Sequence, residues 1–145
     1  MDSLAKAGSS DRNEVDMKER LINEALEAQK KAYAPYSKFM VGAAILTESG
    51  NIYRGCNVEN ASFGAAICAE RNAATTAIAE EGKIRFKAIA IASTGAEPAP
   101  PCGICRQFLS EFTDPEVPVY LVSSKSGKVK EFSFGTLMPE SFTEF

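Results

Sequence analysis

Two short stretches concentrate the residues able to do chemistry: Cys68-Ala69-Glu70-Arg71 and Pro101-Cys102-Gly103-Ile104-Cys105. Each opens a segment of helical character, so three thiols and a carboxyl can meet where two helices begin. The chain has no histidine, which rules out a Ser-His-Asp triad, a His-Glu-x-x-His metalloprotease helix and any imidazole ligand. A metal must therefore be held by sulfur or oxygen. Three thiolates can hold Zn²⁺ tetrahedrally and leave the fourth position to water, as a catalytic site requires, whereas a structural zinc closes all four. Thiols at helix N-termini also face unpaired backbone N–H groups and the positive end of the dipole, which lowers their pKa.

Three thiolates outweigh the two charges of zinc and weaken its pull on water. Arg71 follows Cys68 by three residues on the same helical face, where its guanidinium can donate to the sulfurs and withdraw that charge. Glu70, two residues after Cys68, can approach water at the metal without being forced to ligate, and so can carry its proton. Attack of such water on an sp² carbon bearing an amino group, with the proton passed to the ring and then to departing ammonia, is hydrolytic deamination. Read alone, Cys102-Gly103-Ile104-Cys105 also fits a thioredoxin-like redox pair, but that leaves Cys68 and Glu70 without a role. Cys56 offers a fourth ligand that would close the site into a non-catalytic structural zinc module. Strand alternation instead turns Cys56 to the face opposite Asn57 and Glu59, as a small buried residue.

A non-ligating Glu with a Pro-Cys-x-x-Cys stretch is the known signature of zinc nucleobase deaminases. This chain adds Ala34-Pro35-Tyr36-Ser37-Lys38-Phe39, Val41-Gly42-Ala43-Ala44, Gly55-Cys56-Asn57-Val58-Glu59-Asn60-Ala61 and, after Cys105, Arg106-Gln107. With these residues in this order, roughly from Tyr33 to Phe142, it resembles the cytidine deaminases of the small, homotetrameric, three-cysteine type. The resemblance implies one Zn²⁺ per chain on Cys68, Cys102 and Cys105, with Glu70 as the catalytic proton shuttle. It implies Phe39 against the pyrimidine, Asn57 and Glu59 on the ribose, and Ala69 among the substrate contacts. The expected reaction converts cytidine, and 2′-deoxycytidine, to the uridine nucleoside and ammonia by attack of activated water at C4, in pyrimidine salvage. Another aminopyrimidine nucleoside or a free base is the rival substrate for the same chemistry.

Subunits of such enzymes complete one another's pockets, which makes Ala61 and Phe142 candidate contacts across a homotetramer interface. After Glu59-Asn60-Ala61-Ser62 the family commonly has Tyr, whose hydroxyl reaches the 5′ end of the sugar. Phe63 stands there in this chain and lacks that hydroxyl, which bears on preference among nucleosides. Plainer readings stand beside these. Phe39 also fits a core residue near a Pro turn, Asn57 a strand-ending residue, and Phe63 and Phe142 packing between subunits.

The elements that must position these groups follow from patterning. With 145 residues, 45% of them hydrophobic, the chain suits one domain that buries about two thirds of its unfolded surface. Sixteen basic against 19 acidic side chains, a net charge of −3, offer no field for a nucleic-acid polymer. No apolar run approaches the ~20 residues that span a bilayer, and the N-terminus lacks a secretory signal's apolar run. A cytoplasmic location without a membrane is expected, where four unevenly placed cysteines stay reduced.

Residues 1–12 read as a disordered tail and 13–145 as a single deaminase domain. A helix is expected from Glu14 to Tyr33, with Leu21, Ala25, Ala28 and Ala32 on its apolar face. A hairpin of Val41–Thr47 and Ile52–Glu59 follows, then an Ala-rich helix from Ala65 to Glu81 closed by Gly82. Strand Phe86–Ala92, helix Cys102–Phe112, strands Val117–Val122 and Val129–Phe134 and a short helix from Thr136 complete the order. Helices interleaved with strands predict an α/β fold: a three-layer α-β-α sandwich around a mixed five-stranded sheet.

Overall fold

A computed structural model of the chain describes residues 2–145, with side chains from Arg12 onward. The elements run α1 (Asp2–Gln29), β1 (Val41–Thr47), β2 (Ile52–Cys56), α2 (Ala69–Glu81), β3 (Phe86–Ser93), α3 (Gly103–Ser110), β4 (Pro118–Ser123), β5 (Val129–Ser133) and α4 (Phe134–Leu137), with a 3-10 turn at Phe63–Ala65. The sheet order is β2-β1-β3-β4-β5, with β3 and β4 parallel and every other pair antiparallel. The expected mixed five-stranded sheet is therefore present, covered by α1 on one face and by α2 and α3 on the other.

Alternation along the strands sorts the two faces. Ala44 of β1 and Ala88, Ala90 and Ala92 of β3 meet Leu21 and Ala25 of α1. Ala43 and Ile45 of β1, Ile89 and Ile91 of β3 and Leu121 of β4 meet Ala69, Ala73, Ala74 and Ala77 of α2. Size is complementary across each layer: alanines on the sheet receive leucine from the helix, and isoleucines on the sheet receive a helix face of alanines. Filling space this way reaches interior packing density without forcing side chains off their rotamers.

Two glycines set how closely the helices approach. A Cβ on Gly42 would stand 2.1 Å from the carbonyl oxygen of Ala25, and one on Gly55 would stand 2.3 Å from the backbone nitrogen of Ala73. These two glycines are near partners across the β1–β2 ladder, where Gly42 pairs with Cys56 and Ala43 with Gly55. One admits α1 from one side of the sheet and the other admits α2 from the opposite side. The backbone of α2 thus lies almost on β2, which fixes the end of α2 that carries Cys68 and Glu70.

Several boundaries differ from the patterning. The α1 helix starts at Asp2 rather than Glu14, since helix propagation adds a hydrogen bond per residue and does not require an apolar face to continue. Met1 and the side chains of residues 2–11 lie outside the described residues, while the backbone from Asp2 to Arg12, expected as part of a disordered tail, belongs to α1. β2 stops at Cys56, because the backbone beyond it leaves β1: Val58 bridges to Tyr33 on one side and to Ile67 on the other. The Ala-rich helix starts at Ala69 rather than Ala65, since Ile67 is drawn into that bridge and Cys68 stays extended, with φ −74° and ψ 153°. Gly82 closes α2 at φ +76°, a backbone region open chiefly to glycine.

Gly55→Ala drives a methyl into α2 and is expected to destabilise the fold by about 3 kcal/mol or more, beyond the usual cost of one overpacked methyl. Urea denaturation monitored by circular dichroism reads this directly. A loss below about 1 kcal/mol would contradict the close approach of α2 to β2.

Candidate metal centre and active site

Cys68 and Cys102 each occupy the residue just before a helix, α2 and α3 respectively, and neither side chain bonds to its own helix end. Ser, Thr, Asp or Asn usually fills such a position and uses its oxygen to satisfy the first free N–H groups. Here the two sulfurs point at each other, 3.8 Å apart, and Cys105 in the first turn of α3 brings a third. All three sulfurs lie within 4.8 Å of one another. All four cysteines of the chain are free thiols.

The donor set fits zinc. Tetrahedral sulfur ligands at about 2.3 Å from the metal stand about 3.8 Å from each other, the Cys68–Cys102 separation. The charge balance calls for a cation as well. Hydrogen bonding from Cys105, aided by Arg71 and Cys102, lowers the Cys68 thiol to about 5, so a thiolate is ready in the cluster. That thiolate, with burial, pushes the Cys105 thiol far upward, so the cluster accepts further negative charge only with a positive ion to offset it. Cys56 is not part of the trio. Burial raises its thiol, as for an inert cysteine, and it lies beside Ala28, Lys31 and Asn72.

Arg71 reaches back one turn, where its Nη2 donates to the Cys68 sulfur at 3.5 Å. Cys68 and Cys105 together hold its guanidinium more firmly protonated than usual. Its Nε is buried and has no partner, so the guanidinium sits against the sulfur cluster and not in a conventional ion pair. Glu70, in the first turn of α2, is only 5% exposed. Burial pushes its carboxyl up to about 7, with the Cys68 charge adding to the rise, so the group can both take and release a proton near neutral pH.

Phe39, Asn57, Cys68, Ala69, Glu70 and Cys102 line one pocket of about 230 Å³. Six of the residues picked out by motif thus converge from the segment before β1, the segment after β2 and the starts of α2 and α3. Phe39 is 39% exposed and belongs to neither apolar cluster, which removes the reading of it as core. Four expected contacts lie elsewhere. Glu59 and Phe63 line a neighbouring pocket of about 380 Å³ with Tyr36 and Ser37. Ala61 is exposed between them. Phe142, at 64% exposure, stacks on Phe145 near the C-terminus, where its carbonyl accepts a bond from Gln107.

The motifs did not single out Ile91, Ala99 and Pro100, which complete the pocket wall. Ile91 looks in sequence like any core strand residue, and the Pro-rich stretch before Cys102 was the available signal for the other two. Arg106 was also missed as a structural residue: its Nε donates to the Pro101 carbonyl at 2.7 Å and its Nη1 to the Leu137 carbonyl at 2.7 Å, which clamps the start of α3. Asn72 does the same for α2, donating to the Cys56 carbonyl at 3.0 Å.

Comparison with known proteins agrees with this geometry. Residues 15–121 match the family described as "Cytidine and deoxycytidylate deaminase zinc-binding region". A cytidine deaminase of Sporosarcina psychrophila is 44% identical over 126 residues, covering 87% of this chain and 91% of that protein. A cytidine deaminase of Halalkalibacterium halodurans is 43% identical over 126 residues, covering 87% and 94%. The crystal structure of cytidine deaminase from Burkholderia pseudomallei superposes with a TM-score of 0.80 at 44% identity, covering 86% of this chain and 98% of that one. The extent and strength of these matches, over the residues that build the three-sulfur pocket, show that the chain belongs to the zinc-binding cytidine deaminase family.

Proposed function

We propose that this protein hydrolytically deaminates cytidine, and 2′-deoxycytidine, to the uridine nucleoside and ammonia. The observation that carries the reading is a cluster of three sulfurs, two of which, on Cys68 and Cys102, line a pocket of about 230 Å³ together with the buried carboxyl of Glu70. Cys68, Cys102 and Cys105 would hold one Zn²⁺ per chain. Zinc held there supplies a Lewis acid that makes water nucleophilic near neutral pH.

Glu70 takes the proton that the attacking water loses and delivers it to the ring nitrogen beside C4. It then takes the proton of the hydroxyl now on C4 and passes it to the amino group, so that the C4–N bond breaks, ammonia leaves and the hydroxyl oxygen becomes the carbonyl of the uracil ring. A carboxyl poised at about 7 suits both directions of transfer. Arg71 draws charge from the sulfurs so that three thiolates do not blunt the metal. Phe39 would pack on the pyrimidine face with Ala69 along its edge, and Asn57 and Glu59 would take the ribose contacts. Ala61 and Phe142 are exposed and would complete neighbouring pockets in a homotetramer, while Phe63, also exposed, would offer the sugar's 5′ end no hydroxyl. Free cysteines suit the reducing cytosol. Among the described residues no helix is long and apolar enough to cross a membrane.

Three measurements test this reading. Purified protein is expected to carry about one zinc per chain and to lose turnover when a chelator removes it. Glu70→Gln is expected to retain the metal while lowering kcat by about a hundredfold to ten-thousandfold in an ultraviolet assay of cytidine loss. Near-normal turnover in that variant would remove the proton carrier from the mechanism. Cys56→Ser is expected to keep the same zinc content, and loss of zinc would favour a closed structural site instead.

A further inference from the structure

The segment between α1 and β1 is irregular and mostly exposed, yet the N–H groups that lead into β1 are all engaged. Six consecutive N–H groups, from Tyr36 to Val41, all donate hydrogen bonds. Tyr36 and Ser37 donate to Oε1 of Glu59 at 2.9 and 3.1 Å, and Lys38 donates to the Ala34 carbonyl at 3.0 Å. Phe39 donates to Oγ of Ser37 at 3.0 Å, Met40 to Oγ1 of Thr94 at 3.2 Å, and Val41 to Oδ1 of Asn57 at 2.8 Å. The Ser37 hydroxyl in turn donates to Oε2 of Glu59, and Nδ2 of Asn57 donates to the Phe39 carbonyl at 2.8 Å.

This concentration of side-chain acceptors has no counterpart in what the core requires. Residues 36–40 contribute nothing to either apolar cluster. Lys38 is held at φ +62°, a region that L side chains rarely adopt and that persists only when its surroundings over-determine it. What the bonded segment does present is Phe39, turned into the pocket beside Asn57 and Glu70, with Gly95 beneath its ring. Glu59 already accepts three of the roughly four hydrogen bonds a carboxylate can take, so most of its capacity is committed to this segment.

We infer that residues 36–41 form a preset strap across the pocket, and that Ser37 and Thr94, whose hydroxyls complete it, are positioning residues that act on the substrate through Phe39. Ser37 relays between Glu59 and the Phe39 amide. Thr94 ties the strap to the end of β3, so the ring is located relative to the sheet that also carries Ile91. A strap already ordered before substrate arrives removes the cost of ordering Phe39 on binding, and its loosening is felt as weaker binding rather than slower chemistry.

The inference rests on the cytidine reading above, and the test separates the two. In the zinc-loaded full chain, Ser37→Ala is expected to raise the KM for cytidine about tenfold while kcat changes by less than about threefold, with zinc content unchanged. Ser37→Thr, which keeps the hydroxyl, is expected to restore KM. Thr94→Val is expected to follow Ser37→Ala, and Thr94→Ser to follow the parent. Independently of turnover, amide hydrogen exchange of residues 38–40 is expected to quicken about tenfold in the two hydroxyl-lacking variants. An unchanged KM together with unchanged exchange would overturn the strap, as would a kcat that falls in parallel with zinc loss, which marks general structural damage. A parent protein that holds zinc but leaves cytidine intact would sink the cytidine reading instead, and the exchange rates would still decide the strap.

Discussion

Everything else in this structure answers to the crowding of three sulfurs within 4.8 Å of one another. Such a cluster accumulates negative charge that no ordinary core tolerates, and the fold meets it in three ways. Two of the sulfurs sit at helix starts, where free N–H groups and the helix dipole favour anions. A guanidinium is folded back onto the cluster by Arg71. The geometry matches a tetrahedral dication, whose charge is the largest of the three compensations. Burial of Glu70 is what lifts its carboxyl towards neutrality, and the charge of Cys68 in the cluster adds to the rise.

Holding that cluster in place is a problem of helix placement, and the sheet solves it with omission. At Gly42 and Gly55 the lack of a side chain lets helices on opposite faces approach the backbone of the β1–β2 hairpin. The alanine face of α2 extends the same close contact. With α2 pinned through Asn72 to the carbonyl of Cys56, and α3 clamped through Arg106 to Pro101 and Leu137, the two helix starts have little freedom to drift apart. Precision at the sulfurs thus comes from small residues and from polar side chains that themselves touch neither sulfur nor pocket.

The other wall of the pocket is built differently. Phe39 lies on a segment without regular structure, and the apolar packing that fixes α2 does not extend to it. Hydrogen bonds that the segment's N–H groups donate to Asn57, Glu59, Ser37 and Thr94, with one returned by the Asn57 amide, take over that role. Asn57 and Glu59 serve the strap directly, whatever further contacts they make with a ligand.

The amino-acid sequence by itself determined the layered α/β fold and the chemistry of the metal site. Alternating apolar residues and helix signals are local, and Cys68, Glu70, Arg71, Cys102 and Cys105 have side chains of narrow chemical repertoire at telling spacings. Helix starts were less legible, because Ile67 is drawn into a bridge with Val58 by tertiary contact and so delays α2 to Ala69. The tertiary structure decided between the open readings of Cys56, which stands apart from the other three thiols, and of Phe39, which faces a pocket instead of the core, and it alone turned Glu59 towards Tyr36 and Ser37. Those outcomes depend on which distant segments meet. Ser37 and Thr94 are common residues with ordinary hydroxyls, and only the arrival of Phe39 and Met40 beside them makes them part of the site.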